Sequence, residues 1–350
     1  MCYRKRSAKI NVKLIVVLIL VVVALGVSLV AARQVRRSIL SKKSLDAGLA
    51  AFEKEDWKEA AQHFQEYLGR NPDDVEILKK YAQSRLNIRP VEVPNIMQAI
   101  AGYRQVLQLD PLDKEVYDEL AGLYTGIRRF EELVYIAEMR LEQAPDDRNA
   151  PLWLASGLVQ LNEKDEAREK LEKFIAEVEA LPDKHDQYVQ ACVQMSEIVA
   201  SDDSPDAQVQ ALQWLNKAVT YAPDSVKAVA NRTRFYRQAA INLTESVQEQ
   251  LLAVARADLE AAGITAGTAR EKLVALARKD LEGADALAGD SPTIRYFLGT
   301  EWLAHGEPNQ AAAELQAVEG LSQERIEEDF FDINDWVVLR FLLASELATR

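Results

Sequence analysis

The sequence predicts an all-α chain: a solenoid of stacked helical hairpins preceded by one transmembrane helix. Three observations carry that expectation. An uncharged run of nineteen residues, Leu14 to Ala32, stands near the start. After Ser41 no strand pattern occurs; Ala, Leu, Glu, Lys, Gln and Arg dominate, and apolar residues recur at three and four. Proline then returns at Pro72, Pro111, Pro145, Pro182 and Pro223, with gaps of 39, 34, 37 and 41 residues. A period of that size marks stacked helix pairs.

The amino-terminal elements come first. Residues 1–13 form a basic tail, 14–32 the apolar segment and 33–40 a basic linker. At 1.5 Å per residue the segment reaches about 28 Å, enough for a hydrocarbon core of about 30 Å. A cleaved secretory signal is the competing reading, with Val30 and Ala32 at its cleavage site. The run is longer than a signal core, Arg33, Arg36 and Arg37 follow at once, and the helical pattern continues. An uncleaved anchor is therefore expected. Five basic residues precede the segment and five follow it by Lys43, so loop charge does not decide orientation. The compact charge of the tail favours a cytoplasmic amino-terminus and an extracytoplasmic body. The expected location is that of a single-pass protein of the bacterial inner membrane. Cys2 precedes the apolar run, so it is no lipid-attachment cysteine, and Cys192 stands alone in the body.

Charge separates the ends of the chain. Its 42 Lys and Arg face 55 Asp and Glu, but the first 43 residues hold ten of the bases and no acid. The remainder carries a net charge of −23. So acidic a body argues against nucleic acid as a partner and favours a soluble, extended particle. Two cysteines exclude a disulfide scaffold and a Cys-rich metal site. Fourteen Gly and eleven Pro are too few for a disordered or collagen-like chain.

Five repeats are expected over 41–225, at about 41–74, 75–113, 114–147, 148–184 and 185–225. The first supplies Gly48, Ala60, Phe64 and Pro72. The second keeps Ala99, Tyr103 and Pro111 behind a first helix centred on Ala82, with five residues added in NIRPVEVPN. The third supplies Ala121, Leu133, Ala137 and Pro145; the fourth Ala155, Ala167 and Leu171, with Pro182 late. In the fifth only the second helix is clean, with Ala211, Leu215 and Pro223. A further match over 292–319 has Gly299, Ala311 and Leu315. This pattern resembles the tetratricopeptide repeat (TPR) family. The resemblance implies a right-handed superhelix of helix A–helix B hairpins. A small residue in helix A lets helix B approach, a bulky residue one turn on plugs the next gap, and proline stops helix B.

Two regions depart from the pattern. Residues 226–291 read as a degenerate repeat with a helical insertion. Val226–Gln238 is its helix A, and LLAVARADLEAA (251–262) is echoed by LVALARKDLEGA (273–284), a local duplication. Either copy could be helix B, the other being inserted. At the end, DWVVLRFLLASELATR (335–350) is apolar on too many sides for an ordinary cap. Either it folds back as an unusual cap or the chain is the front of a longer protein.

Catalytic chemistry finds little support. His63, His185 and His305 are scattered and lack metal-ligand spacing. No phosphate-cradling glycine loop or nucleophile elbow occurs. No enzyme activity, cofactor or metal is expected. Gly122 and Gly126 are expected to serve close helix packing.

What remains is a surface. In the family resembled, the exposed side of the helix A row lines a concave groove for a partner helix or extended peptide. The residues implied are Leu49, Phe52, Gln83, Leu86, Gly122, Thr125, Ser156 and Val159, with Glu76, Glu115 and Asp118 as an acidic turn. Lys79 and Gln83 fall near two positions of the family's carboxylate clamp, but Leu45, Leu49, Asp118 and Glu119 spoil the rest. The expected function is a membrane-anchored TPR scaffold or adaptor that binds other proteins in envelope assembly or secretion. The alternative is a docking module of a longer enzyme or signalling protein whose catalytic part lies beyond Arg350.

Overall fold

The computed structural model describes residues 33–319 apart from 35, 182–185, 203, 288 and 290. Among them there is no strand. The helices are α1 (36–52), α2 (Trp57–Leu68), α3 (Val75–Asn87), α4 (Val93–Leu109), α5 (Lys114–Gly126), α6 (Phe130–Gln143), α7 (Ala150–Gln160) and α8 (Lys164–Glu179). They continue as α9 (Asp186–Ala200), α10 (Pro205–Tyr221), α11 (Val226–Asn242), α12 (Glu245–Val254), α13 (Arg256–Ala262), α14 (Ala269–Leu287), α15 (Pro292–Ala304) and α16 (Pro308–Glu319). The chain divides into two compact units: Met1–Arg129 with Glu142–Ala144, and Phe130–Leu141 with Pro145–Arg350.

Short polar residues start the helices. Asp56, Asp74, Asp113, Ser204, Ser225 and Ser291 each accept a hydrogen bond from the backbone N–H three residues on. Each such cap contributes about 1 kcal/mol. The A-to-B turns repeat more closely than the side chains do. Glu55, Arg128, Asn162 and Gly306 all take positive φ, at 57°, 59°, 67° and 75°. Each stands two residues before its helix B. The next N–H in each turn reaches back five residues: Asp56 to Ala51, Arg129 to Tyr124, Glu163 to Leu158 and Glu307 to Trp302, at 2.8–2.9 Å. This is the left-handed helix stop that satisfies orphan carbonyls.

Packing in the first unit follows the small-residue rule, with one correction. A Cβ on Gly48 would stand 2.7 Å from the ring of Phe64, so only glycine lets α1 and α2 approach so closely. Phe64, fully buried, thus fills a gap inside its own repeat instead of plugging only the next one. In the next hairpin a Cβ on Gly102 of α4 would stand 3.5 Å from that of Ala82 of α3, an ordinary contact. The extra loop is residues 88–92; Val93, Pro94 and Asn95 already belong to the first turn of α4.

In the second unit Gly157 of α7 meets Val134 of α6, where an added Cβ would come within 2.6 Å. Ala155, Ala167, Leu171, Ala211 and Ala228 join one core. Of the two copies of the duplicated segment, the second, α14, packs along α11. The first copy is broken at Ala255 into α12 and α13 and forms the insertion.

Two expectations are corrected. A single-pass inner-membrane location is not what the described helices support: among the described residues no helix is long and apolar enough to cross a membrane. The apolar α7 has 11 residues, against about 20 for a crossing. The 19-residue α14 carries a charged face. The tail 1–13, the segment 14–32, Pro182, His185 and residues 335–350 lie outside the described residues, as does the side chain of Leu315. Second, Gly122 and Gly126 do not serve close packing, because a Cβ at either meets nothing within 4 Å.

Candidate partner-binding faces

In the first unit α1, α3 and α5 are the helix A elements. Their outward faces do not offer the residues expected of them equally. Phe52 is half-buried and engaged within the repeat: its ring is edge-on to Trp57 at 5.3 Å and 6.0 Å from Phe64, and Lys80 Nζ lies 4.7 Å over it. Leu49 packs beside it in the same core. Leu86 is half-buried on α3, while Glu76 and Gln83 are exposed.

The acidic turn is partly spoken for. Lys79 Nζ donates to Asp113 at 3.1 Å and to Glu115 at 2.5 Å, joining α3 to the start of α5. Those carboxylates hold the Lys79 pKa up. A lysine so paired is not free to clamp a terminal carboxylate. Asp118, half-buried, and Glu119 continue the acidic face. Burial, with Glu115 and Asp118 alongside, raises the Glu119 carboxyl above its ordinary range. Thr125 is exposed and donates to the carbonyl of Ala121 at 2.8 Å. Between these polar groups lies the bare backbone of Gly122 and Gly126. The sequence contained the signal for this face, a glycine pair at four-residue spacing, but could not show which side it occupies.

Ser156 and Val159 belong to the second unit. Both are half-buried on α7, and Val159 packs against the core. Sequence reasoning missed a hollow of about 100 Å³ between α9 and α11, lined by Val193, Ser196, Glu197, Asn231, Arg234 and Gln238. Lys227 donates to Gln190 at 3.3 Å nearby, and burial lowers its pKa despite Asp186 and Glu197. Arg237 grips Glu301 with two bonds, at 2.9 and 3.2 Å. This surface is polar and internally paired. Among the described residues no His, Cys, Asp and Glu cluster has the makings of a metal site. Cys192 is buried and its thiol is pushed up to about 12, mainly by desolvation, so it is no nucleophile.

No protein-family model matches the chain, and no characterised protein matches it significantly. Several solved structures are similar in fold. A tetratricopeptide repeat protein from Parabacteroides merdae is 14% identical over 88% of this chain and 99% of that one, with a TM-score of 0.49. A thermophilic TPR protein from Thermus thermophilus is 19% identical over 66% and 96%, with a TM-score of 0.40. The MamA protein is 17% identical over 59% and 97%, with a TM-score of 0.41. Similarity at this level carries no argument about a partner.

Proposed function

We propose that the chain is a TPR-type scaffold that binds a protein partner and has no catalytic role of its own. The observation that carries this reading is the outward face of α5. Gly122 and Gly126 leave backbone uncovered there, with Thr125 exposed beside them and Glu115, Asp118 and Glu119 one or two turns earlier. A face without side chains admits a partner's backbone closely, and the acids favour a basic helix or extended peptide. Gln83 and Glu76 on α3 extend the contact, and Leu86 adds apolar area. Phe52 and Leu49 act from beneath, by holding α1 in place. A basic partner would pull the Glu119 carboxyl back down, so binding should release protons and strengthen as pH rises through the carboxylate range.

The test compares proteins recovered with full-length wild type and with Gly122→Arg. The arginine enters open space, so the fold is retained, checked by melting. Loss of partners by the folded variant supports the reading. Retention of every partner places the working surface elsewhere.

A further inference from the structure

We propose that the crevice between the amino-terminal half of α1 and the end of α2 binds a phosphate-bearing anion. The crevice measures about 480 Å³ and is lined chiefly by Arg37, Ser38, Ser41, Lys42, Arg70 and Asn71. Three cations therefore converge on one opening in a chain whose body is strongly acidic.

Carboxylates hold several cations elsewhere in the chain but, among the described residues, none of these three. Lys79, Arg140, Arg232, Arg237 and Arg295 all hold carboxylates. Arg37, Lys42 and Arg70 hold none among the described residues. Arg37 Nη2 donates instead to the backbone carbonyl of Arg70 at 2.9 Å, which brings its guanidinium against the end of α2, and both arginines line the crevice. Arg70 Nη1 donates to the carbonyl of Glu66 at 2.8 Å and reaches Ser44 at 3.5 Å, so its fork is fixed before any ligand arrives. Glu66 accepts from Ser44 at 3.1 Å and Asp74 from Tyr67 at 2.7 Å. The Tyr67 hydroxyl, pushed up to about 12 mainly by desolvation and then by Asp74, stays neutral.

Neutral donors complete the set. Asn71 donates its amide to the Ser41 oxygen and to the carbonyl of Tyr67, leaving the Ser41 proton to point elsewhere. Ser38 is exposed one turn earlier on α1. Forked guanidinium groups suit a tetrahedral oxyanion, which they bind through paired charge-assisted bonds. A dianionic phosphate, free or esterified, matches three cations and two hydroxyls better than a single carboxylate does.

The test is calorimetric titration of the full chain at pH 7.5, with ionic strength held constant by sodium chloride. Inorganic phosphate and phosphoserine are the probes, separating a free anion from an ester. Saturable binding of either is expected. Arg37→Gln with Lys42→Gln should weaken it by about tenfold per cation removed, and Lys42→Gln alone should weaken it in part. Both residues are exposed, so melting should be unchanged. Lys173→Gln, on an exposed position of α8 in the second unit, does not line the crevice and should bind as wild type. Unsaturable heats, equal loss in Lys173→Gln, or wild-type affinity in the double variant would overturn the assignment.

Discussion

Arg232 holds both carboxylate oxygens of Asp280: Nε donates to Oδ2 at 2.7 Å and Nη2 to Oδ1 at 2.8 Å. The third nitrogen, Nη1, donates to Asn216 at 3.1 Å and lies 3.5 Å from Asp258. Asp258 and Asp280 occupy the same place in the two copies of the duplicated segment. Each copy thus turns its aspartate to one guanidinium on α11. One carboxylate makes the α14 contact, and the other ties α13 of the insertion to the same point.

The two arms should differ in weight. Asp280 is 13% exposed and doubly bonded, whereas Asp258 is 33% exposed and more distant. Removing one partner of a buried pair leaves the other charge uncompensated, at about 3–5 kcal/mol. Asp280→Ala should therefore cost about that much, and Asp258→Ala nearer 1 kcal/mol. Urea unfolding of the full chain measures both. Equal losses would show that the pair is not the anchor of α14.

Glycines at two positions of helix A should respond oppositely. At Gly48 an added Cβ meets the buried Phe64 ring at 2.7 Å, so Gly48→Ala should destabilise by about 1–3 kcal/mol. At Gly122 the same atom meets nothing, so Gly122→Ala should stabilise by up to about 1 kcal/mol through helix propensity. Thermal melts of the two variants decide it. A Gly48→Ala protein as stable as wild type would show that α1 and α2 are farther apart than the structure places them.

Much of this arrangement was legible in the sequence, because helical packing leaves a periodic trace. Ala60, Ala99, Ala121 and Ala155 are all buried, as their spacing required. The turns were less legible. Glu55, Arg128 and Asn162 share a backbone conformation with Gly306 but not a residue type, so composition hid what the hydrogen bonds reveal. The candidate face was half legible. Spacing named Gln83, Thr125 and Asp118, but it could not show that Lys79 bridges to Glu115 or that Phe52 lies under Lys80. Those pairings join residues far apart in sequence, and no local pattern records them.

The turn geometry yields its own prediction. A non-glycine residue in the left-handed region pays a steric penalty of about 1–2 kcal/mol. Glu55 is exposed and carries φ of 57°. Glu55→Gly should relieve that strain, partly offset by greater freedom of the unfolded chain, for a net gain of roughly 0.5–1 kcal/mol. Asn162→Gly should gain less, because asparagine tolerates this region better. Chemical denaturation of each variant tests the ranking. A loss at Glu55→Gly would mean that its turn does not need the left-handed residue.

Glu314 supplies a pH dependence with a definite sign. It is 3% exposed on α16, accepts from Arg295 Nη1 at 2.9 Å, and shares a hydrogen bond with Asp285 of α14. Its carboxyl is raised to about 7, first by burial and then by Asp285, against the pull of Arg295. The folded state therefore holds this proton more tightly than the unfolded chain, whose carboxyl titrates near the ordinary value of 4.5. Stability from this group is complete below that ordinary value. It is lost as pH rises through about 7, by an amount on the order of 3 kcal/mol. His305 works in the opposite direction, since burial lowers its pKa and the folded state binds its proton less well. The clean measurement is thus a difference. Melting temperatures of wild type and Glu314→Gln are compared from pH 5 to 8, so that the contribution of His305 cancels. The wild type should lose stability relative to the glutamine variant as pH rises across that range. A constant difference would mean that Glu314 is ionised throughout and that Arg295, not burial, governs its charge.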